Sequence, residues 1–167
     1  MILNDIVKEY EENVSNFIAL CQNKTVVFDF DGTLTKFKYA KDKLLPCRDE
    51  DVSKYTLAGG NIYQEISVLK TMQYIISQLS LENVWVLTTS VPEIRKIKSK
   101  IIFENFHIPE ERVVHSDNDT HKITLLKEIY DRQKNKIIFV EDTARTLLAA
   151  EENLDFVRGW HISGFLV

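Results

Sequence analysis

The sequence predicts an α/β protein with one five-stranded parallel β-sheet and helices on both faces. Short apolar runs alternate along the chain with longer stretches in which apolar residues recur every three or four positions. Strands that alternate with helices are typical of a parallel sheet. The 167 residues, 44% of them hydrophobic, suffice for one core and leave no room for a second full domain. We therefore expect residues 1–167 to form a single doubly wound domain.

Each element has a local signal in the sequence. Apolar residues from Leu3 to Cys21 recur at helical spacing and predict a first helix capped near Asn4. Pro92 suits the first position of a helix that ends near Phe106, because its missing N–H is not needed there. The other predicted elements are strands at 25–30, 84–88, 112–115, 136–140 and 156–159, and helices at 62–79, 121–133 and 144–153.

Composition and charge argue against several classes of protein. A formal net charge of −4 disfavours nucleic acid or a membrane surface as the main partner, since both are normally bound by a basic face. No apolar stretch approaches the roughly 20 residues that span a bilayer, and the acidic Asp5 and Glu9 do not fit a secretion leader. Cys21 and Cys47 lack the spacing of metal ligands and are expected to be reduced thiols. We expect a cytoplasmic protein without a membrane partner.

The most informative segment is residues 29–35 (DFDGTLT), which directly follows the apolar run 25–28. Asp29 and Asp31 leave a strand and enter a turn, so the sheet delivers them to its carboxyl edge, where open α/β proteins bind ligands. Asp and Gly are also ordinary turn residues. Three further elements downstream favour the functional interpretation: residues 84–90 (VWVLTTS), Lys122 at the opening of a predicted helix, and residues 136–143 (KIIFVEDT).

In this order the four elements resemble the motifs of the haloacid dehalogenase (HAD) superfamily, whose first motif has the form DxDG(T/V). The resemblance extends from residue 25 to residue 150. It implies an HAD-like fold and a phosphatase, in which Asp29 is the nucleophile that forms an aspartyl phosphate and Asp31 is the general acid and base. Members of the superfamily that displace halide lack the second Asp, so dehalogenation is not expected.

Carboxylates that face a phosphate repel it unless a cation lies between them, and Mg²⁺ is the expected ion because it prefers oxygen ligands. The resemblance implies three ligands: the side chain of Asp29, the backbone carbonyl of Asp31 and the side chain of Asp142. Glu141 occupies the place of a glycine in the commonest form of the fourth motif. It could contact the metal through a water or another ligand, or point elsewhere. Two adjacent acids also suit a helix N-terminus through the helix dipole.

A hydroxyl and an ammonium complete the expected phosphate pocket. Thr88 is the favoured hydroxyl, and Thr89 is its competitor because alternate residues of a strand face opposite sides. Lys122 is the favoured cation, with Lys127 as the fallback. His115 and His121 flank the polar residues 116–120, which we interpret as a loop with helix-capping residues and not as a metal site.

Residues 36–61 form the only insert near the predicted site, and no large cap domain is expected. We interpret this segment as a flap. Its first half carries the basic residues Lys36, Lys38, Lys41, Lys43 and Arg48. Lys36, Lys38 and Arg48 could contact a second anionic or aromatic group of the substrate, or they could belong to a solvated flap. A site without a cap suits a bulky substrate or a neighbouring subunit that covers it, so a homo-oligomer is possible.

The expected function is hydrolysis of a small phosphorylated metabolite, such as a sugar phosphate or a nucleotide. A phosphatase that acts on nucleic-acid ends or another macromolecule is the main alternative. A catalytically weak HAD-like binding or scaffold module is an alternative of another class. A phosphoaccepting signalling domain would need its acceptor Asp after the third strand, whereas the paired acids here follow the fourth.

Overall fold

The structure is a computed structural model that describes residues 2–37, 54 and 57–165. Its α-helices are α1 (Ile2–Leu20), α2 (Lys70–Ser77), α3 (Pro92–Phe106), α4 (Asp119–Gln133) and α5 (Ala144–Asn153). Its strands are β1 (Thr25–Phe28), β2 (Thr35–Phe37), β3 (Ile66–Val68), β4 (Val84–Thr89), β5 (Val113–Ser116), β6 (Ile137–Glu141) and β7 (Val157–His161). Short 3₁₀ turns lie at Ile62–Glu65, Leu81–Asn83, Glu110–Arg112 and Ile162–Phe165.

Five of the strands form one parallel sheet in the order β5-β4-β1-β6-β7. This confirms the predicted α/β class and the five-stranded parallel sheet. The chain moves from β1 outward to β4 and β5, then returns to the other side of β1 for β6 and β7, which is a Rossmann-like winding. Ligands of such sheets bind outside the carboxyl ends of the strands where the winding reverses. Here that place lies near the carboxyl ends of β1 and its neighbours.

Two apolar layers cover the sheet. Val26 and Phe28 of β1 face a core completed by α1, α2 and α3, whereas Val27 faces a second core completed by α4 and α5. All four residues of β1 are buried because the strand is central and covered on both faces. Phe17 of α1 makes edge-to-face contacts with Trp160 and Phe165 near the end of β7. The nucleophile candidate therefore follows a fully enclosed strand at the centre of the sheet.

The predicted helix over 62–79 is wrong in its first half. Asn61 accepts a hydrogen bond from the Tyr63 N–H at 3.0 Å and caps a 3₁₀ turn. The next residues form β3, which pairs antiparallel with β2, and α2 begins only at Lys70. The β-branched Ile66 and Val68 have a pairing partner that periodicity alone does not reveal. Asn4 lies inside α1 and not at its cap, because that helix begins at Ile2.

Most of the predicted flap lies outside the described residues, and with it lie Lys38, Lys41, Lys43, Cys47 and Arg48. Lys36 is described and is exposed on β2. Among the helices of the described ranges, none combines the length and apolarity needed to cross a membrane.

Candidate active site

The ends of β1 and β6 place the acidic residues of the first and fourth motifs side by side. The Asp29 N–H donates to the carbonyl of Val140 at 2.8 Å, which fixes Asp29 against the neighbouring strand. Glu141 ends β6 and Asp142 follows it. Asp29 and Glu141 are buried, whereas Asp142 is exposed. The sheet thus gathers the three acids at the predicted edge.

Lys122 of α4 lies between two of these acids. Its Nζ donates to Asp29 Oδ1 at 2.8 Å and to Glu141 Oε2 at 2.7 Å. Burial alone would lower the pKa of Lys122, but the charges of Asp29 and Glu141 raise it above its ordinary value. An ammonium has three N–H donors, and the described residues engage two of them. One donor of Lys122 can therefore reach a bound anion.

The two buried carboxylates share this single cation. Burial raises the pKa of Asp29 to about 7, against the opposing charge of Lys122 and with the support of Glu141. Burial likewise raises the pKa of Glu141 to about 7, again against Lys122. The fully ionised triad of Asp29, Lys122 and Glu141 has a net charge of −1, so a further positive charge would favour the ionised carboxylates.

Glu141 has partners on both of its oxygens. Oε2 accepts from Lys122, and Oε1 accepts from the backbone N–H groups of Asp142 and Thr143, each at 3.2 Å. These bonds hold the turn that presents Asp142. Glu141 therefore orients both Lys122 and the turn at Asp142. Direct ligation of a metal by Glu141 would compete with these three hydrogen-bond donors.

Asp29, Glu141 and Asp142 each offer a carboxylate oxygen within 4.8 Å of the others, which is close enough to share one metal ion. Gly32 makes room for this cluster. It has φ +79°, and a Cβ built on it would lie 2.8 Å from Asp142 Cγ and nearer still to Oδ2. His161 Nε2 donates to the carbonyl of Asp142 at 2.8 Å, while its Nδ1 accepts from the Ser163 N–H at 3.2 Å. The backbone of Asp142 is thus fixed by His161, while its carboxylate lies close against Gly32.

Asp31 has a partner that the sequence interpretation missed. Lys98 of α3 donates to Asp31 Oδ2, to Thr88 Oγ1 at 2.9 Å and to the carbonyl of Thr89 at 2.7 Å. A signal for it exists in the sequence: Lys98, Ile102 and Phe106 are four residues apart and form a buried stripe of α3. A lysine on an apolar stripe is unusual, and here it leads to the site.

The structure separates the two candidate hydroxyls, Thr88 and Thr89. The Thr88 side chain is buried, and its Oγ1 accepts from Lys98, which also donates to Asp31. Thr89 instead has its Oγ1 2.9 Å from the hydroxyl of Ser116 on β5. The alternation of the strand therefore brings Thr88 to the acids and directs Thr89 away from them.

Lys127 and the two histidines around residues 116–120 do not join the acids. Lys127 is exposed and pairs with Asp131 at 3.1 Å. Asn118 caps α4 by accepting from the His121 N–H, as expected for a capping loop. His115 lies between the hydroxyls of Ser90 and Ser99 at 2.6 and 3.2 Å. Burial, with the nearby charges of Arg95 and Lys98, lowers the pKa of His115 to about 4, so its ring is neutral at pH 7.

The assembled site is rich in negative charge. Four carboxylates (Asp29, Asp31, Glu141 and Asp142) meet two ammonium groups (Lys98 and Lys122), so the fully ionised set has a formal charge of −2. Such a set of oxygen donors matches a hard divalent cation. Within the described residues, Asp29 keeps Oδ2 for such an ion because Lys122 engages only Oδ1. Asp142 likewise keeps Oδ2, since the Thr143 hydroxyl donates to its Oδ1 at 3.4 Å.

No model of a known protein family matches the chain, and a search among curated proteins finds none that matches it. The resemblance to the haloacid dehalogenase superfamily therefore remains a prediction from the four motifs, and the function is argued from the site.

Proposed function

We propose that this protein is a Mg²⁺-dependent phosphatase of the HAD type, which hydrolyses a phosphate monoester through an aspartyl phosphate on Asp29. The observation that carries the proposal is the buried Asp29–Lys122–Glu141 triad at the carboxyl edge of the sheet, with Asp31 and Asp142 beside it. A purely structural ion pair needs neither a second pair of acids nor an adjacent hydroxyl. The arrangement suits a site which binds an anion and attacks it.

Each group has a role that its contacts allow. In the first step an oxygen of Asp29 attacks phosphorus, and the ester oxygen leaves with a proton from Asp31. In the second step Asp31 takes a proton from water, whose oxygen attacks phosphorus and breaks the bond to Asp29. Inorganic phosphate is released and both carboxyl groups return to their starting states. The remaining donor of Lys122 and the hydroxyl of Thr88 would bind phosphoryl oxygens.

The donor set fits Mg²⁺. Asp29 and Asp142 would hold the ion through their side chains, and the family resemblance adds the backbone carbonyl of Asp31. When bound, the ion would offset the surplus negative charge and polarise the phosphoryl group. The engaged oxygens of Glu141 favour a role in holding Lys122 and the Asp142 turn, not direct ligation.

The proposed substrate is a small phosphorylated metabolite, such as a sugar phosphate or a nucleotide. The net charge of −4 supports a small substrate over a polynucleotide, whose binding normally needs a basic face. The exposed Lys36 on β2 is a candidate contact for a second anionic group. Phosphate release should be screened over sugar phosphates, nucleotides, phosphoamino acids and 3′-phosphorylated oligonucleotides at several salt concentrations. Preference for oligonucleotides, with an apparent affinity that falls steeply with salt, would replace the small-molecule proposal.

The decisive experiment is turnover of p-nitrophenyl phosphate with and without Mg²⁺. We expect Mg²⁺-dependent release of p-nitrophenol from the wild type and none above background from Asp29→Asn. Because Asn has the shape of Asp and Lys122 keeps its ion pair with Glu141, the variant should unfold near the wild-type temperature. A folded Asp29→Asn protein with wild-type activity would remove the nucleophile assignment, and a wild type without turnover would favour a binding module.

A further inference from the structure

Lys98 is a buried cation beside the site to which the proposed reaction gives no task. Its side chain is 1% exposed, and its Nζ lies 5.6 Å from the ring centres of both Phe30 and Tyr63. Removing an ammonium from water is expensive, and a buried ion pair adds little net stability compared with an apolar contact. The effect of Lys98 is therefore to be sought in the geometry that it imposes.

The donors of Lys98 are fully used. Its three N–H groups match its three acceptors, Asp31 Oδ2, Thr88 Oγ1 and the carbonyl of Thr89. Binding a phosphate would require Lys98 to give up one of these bonds, and its burial leaves little room for a direct contact. Lys98 therefore differs from Lys122, which keeps a donor for the substrate.

These bonds also fix which atoms of their partners remain available. Lys98 engages Oδ2 of Asp31, while the buried Oδ1 has no hydrogen-bond partner within the described residues. An ammonium cannot accept a hydrogen bond, so Thr88 must be the acceptor in its bond with Lys98. The hydrogen of the Thr88 hydroxyl therefore remains to be donated elsewhere. One lysine thus sets the direction of two groups that the proposed reaction uses.

We propose that Lys98 is a positioning residue, which holds the Asp31 carboxylate by Oδ2 in the orientation that proton transfer needs, and which directs the Thr88 hydroxyl toward the phosphoryl group. This inference rests on the proposed phosphatase function and extends it to a residue outside the four motifs. Lys98 itself touches no reacting atom.

The identity of the leaving group separates this role from a merely structural one. An alkyl phosphate releases a weakly acidic alcohol that needs the proton of Asp31, whereas p-nitrophenyl phosphate releases an anion that is stable without it. A misdirected Asp31 therefore slows hydrolysis of the alkyl phosphate much more than hydrolysis of p-nitrophenyl phosphate. Loss of Thr88 orientation or a general loss of folded protein lowers kcat/KM for both substrates alike. The readout is the ratio of kcat/KM for an alkyl phosphate to kcat/KM for p-nitrophenyl phosphate.

The test compares Lys98→Met with Lys100→Met, a control on the same helix whose side chain is 74% exposed. General acid catalysis contributes roughly 10²–10⁴-fold, so we expect Lys98→Met to lower the ratio by at least about tenfold and Lys100→Met to leave it unchanged. Lys98→Arg, which keeps a donor cation, should recover part of the ratio. An unchanged ratio in folded Lys98→Met would overturn the proposal.

A second comparison holds even if Lys98→Met does not fold. Asp31→Asn and the double variant Asp31→Asn/Lys98→Met both lack the charge pair between these residues. If Lys98 acts through Asp31, the two proteins should have equal ratios, because the interaction is already lost in the single variant. A further tenfold fall in the double variant would show that Lys98 acts by another route. Absence of wild-type turnover would reject the phosphatase itself, whereas normal wild-type turnover with a contrary ratio rejects only the role of Lys98.

Discussion

Replacement of Gly32 by alanine should weaken metal binding and lower activity while the fold survives. The backbone at Gly32 has φ +79°, a conformation that costs a residue with a Cβ about 1–2 kcal/mol. For a chain of this length such a loss lowers the melting temperature by about 2–8 °C. The new Cβ would also lie 2.8 Å from Asp142 Cγ, whereas ordinary contact begins at 3.4 Å, so the carboxylate must retreat by at least the difference.

The retreat affects function more than stability, because a carboxylate at the end of a side chain can rotate away. A displacement on the order of 1 Å in a catalytic group lowers the rate by about 10²-fold. We expect Gly32→Ala to lower kcat/KM by about that factor and to weaken the stabilisation of the protein by Mg²⁺. The assays are p-nitrophenyl phosphate turnover and thermal unfolding over a Mg²⁺ titration.

Gly59 provides a matched control. It has φ +83°, but a Cβ at this position meets no atom of the described residues within 4 Å. Gly59→Ala therefore carries the same backbone strain without the clash, and it should lose stability but keep activity and Mg²⁺ affinity. If the two variants were equally active and bound Mg²⁺ equally well, the role assigned to the Gly32–Asp142 approach would be wrong.

Four further outcomes are expected. Lys122→Met leaves Asp29 and Glu141 buried without their cation and should destabilise the protein by about 3–5 kcal/mol, measured by denaturant unfolding; a loss below about 1 kcal/mol would contradict the pairing. Asp31→Asn should keep Mg²⁺ binding but lose roughly 10²–10⁴-fold in kcat/KM for alkyl phosphates; a rate within a few fold of wild type would assign the proton transfer to another group. The pKa values of Asp29 and Glu141 are both raised to about 7. As the pH rises from about 4 to 7, the unfolded chain loses protons that the metal-free folded protein retains, so the stability of the metal-free protein should fall over this range. Mg²⁺ needs Asp29 ionised as a ligand and should therefore raise the melting temperature more at pH 8 than at pH 5; a shift that is larger at pH 5 would argue against a carboxylate ligand.

The sheet and the acids at its edge are predictable because their signals are local. The three central strands β1, β4 and β6 contain apolar runs, and Asp29 and Asp142 come just after the ends of two of these strands. Position after a strand then decides position in space, since parallel strands end at one edge. Lys122 is predictable from its place at the start of α4, where it reaches the acids that follow β1 and end β6.

The features that the sequence does not reveal depend on tertiary contacts. The sequence of α3 holds four basic residues (Arg95, Lys96, Lys98 and Lys100), and composition does not tell which one enters the core. Residues 66–68 suit either a helix or a strand, and only the pairing of β3 with β2 decides between them. The choice between Thr88 and Thr89 likewise needs the register of β4 against β5.

The order of the strands also determines at which stage of folding the active site is assembled. The central strand β1 is made early, but both of its partners come later, and the second begins only at Ile137. Asp29 meets Lys122 across 93 residues of chain. Such long-range contacts form late, because the chain must lose the entropy of a long loop before the contact contributes any stability. Recovery of activity on refolding should therefore follow closure of the sheet and lag behind formation of the helices, and until then the apolar residues of β1 remain a site for aggregation.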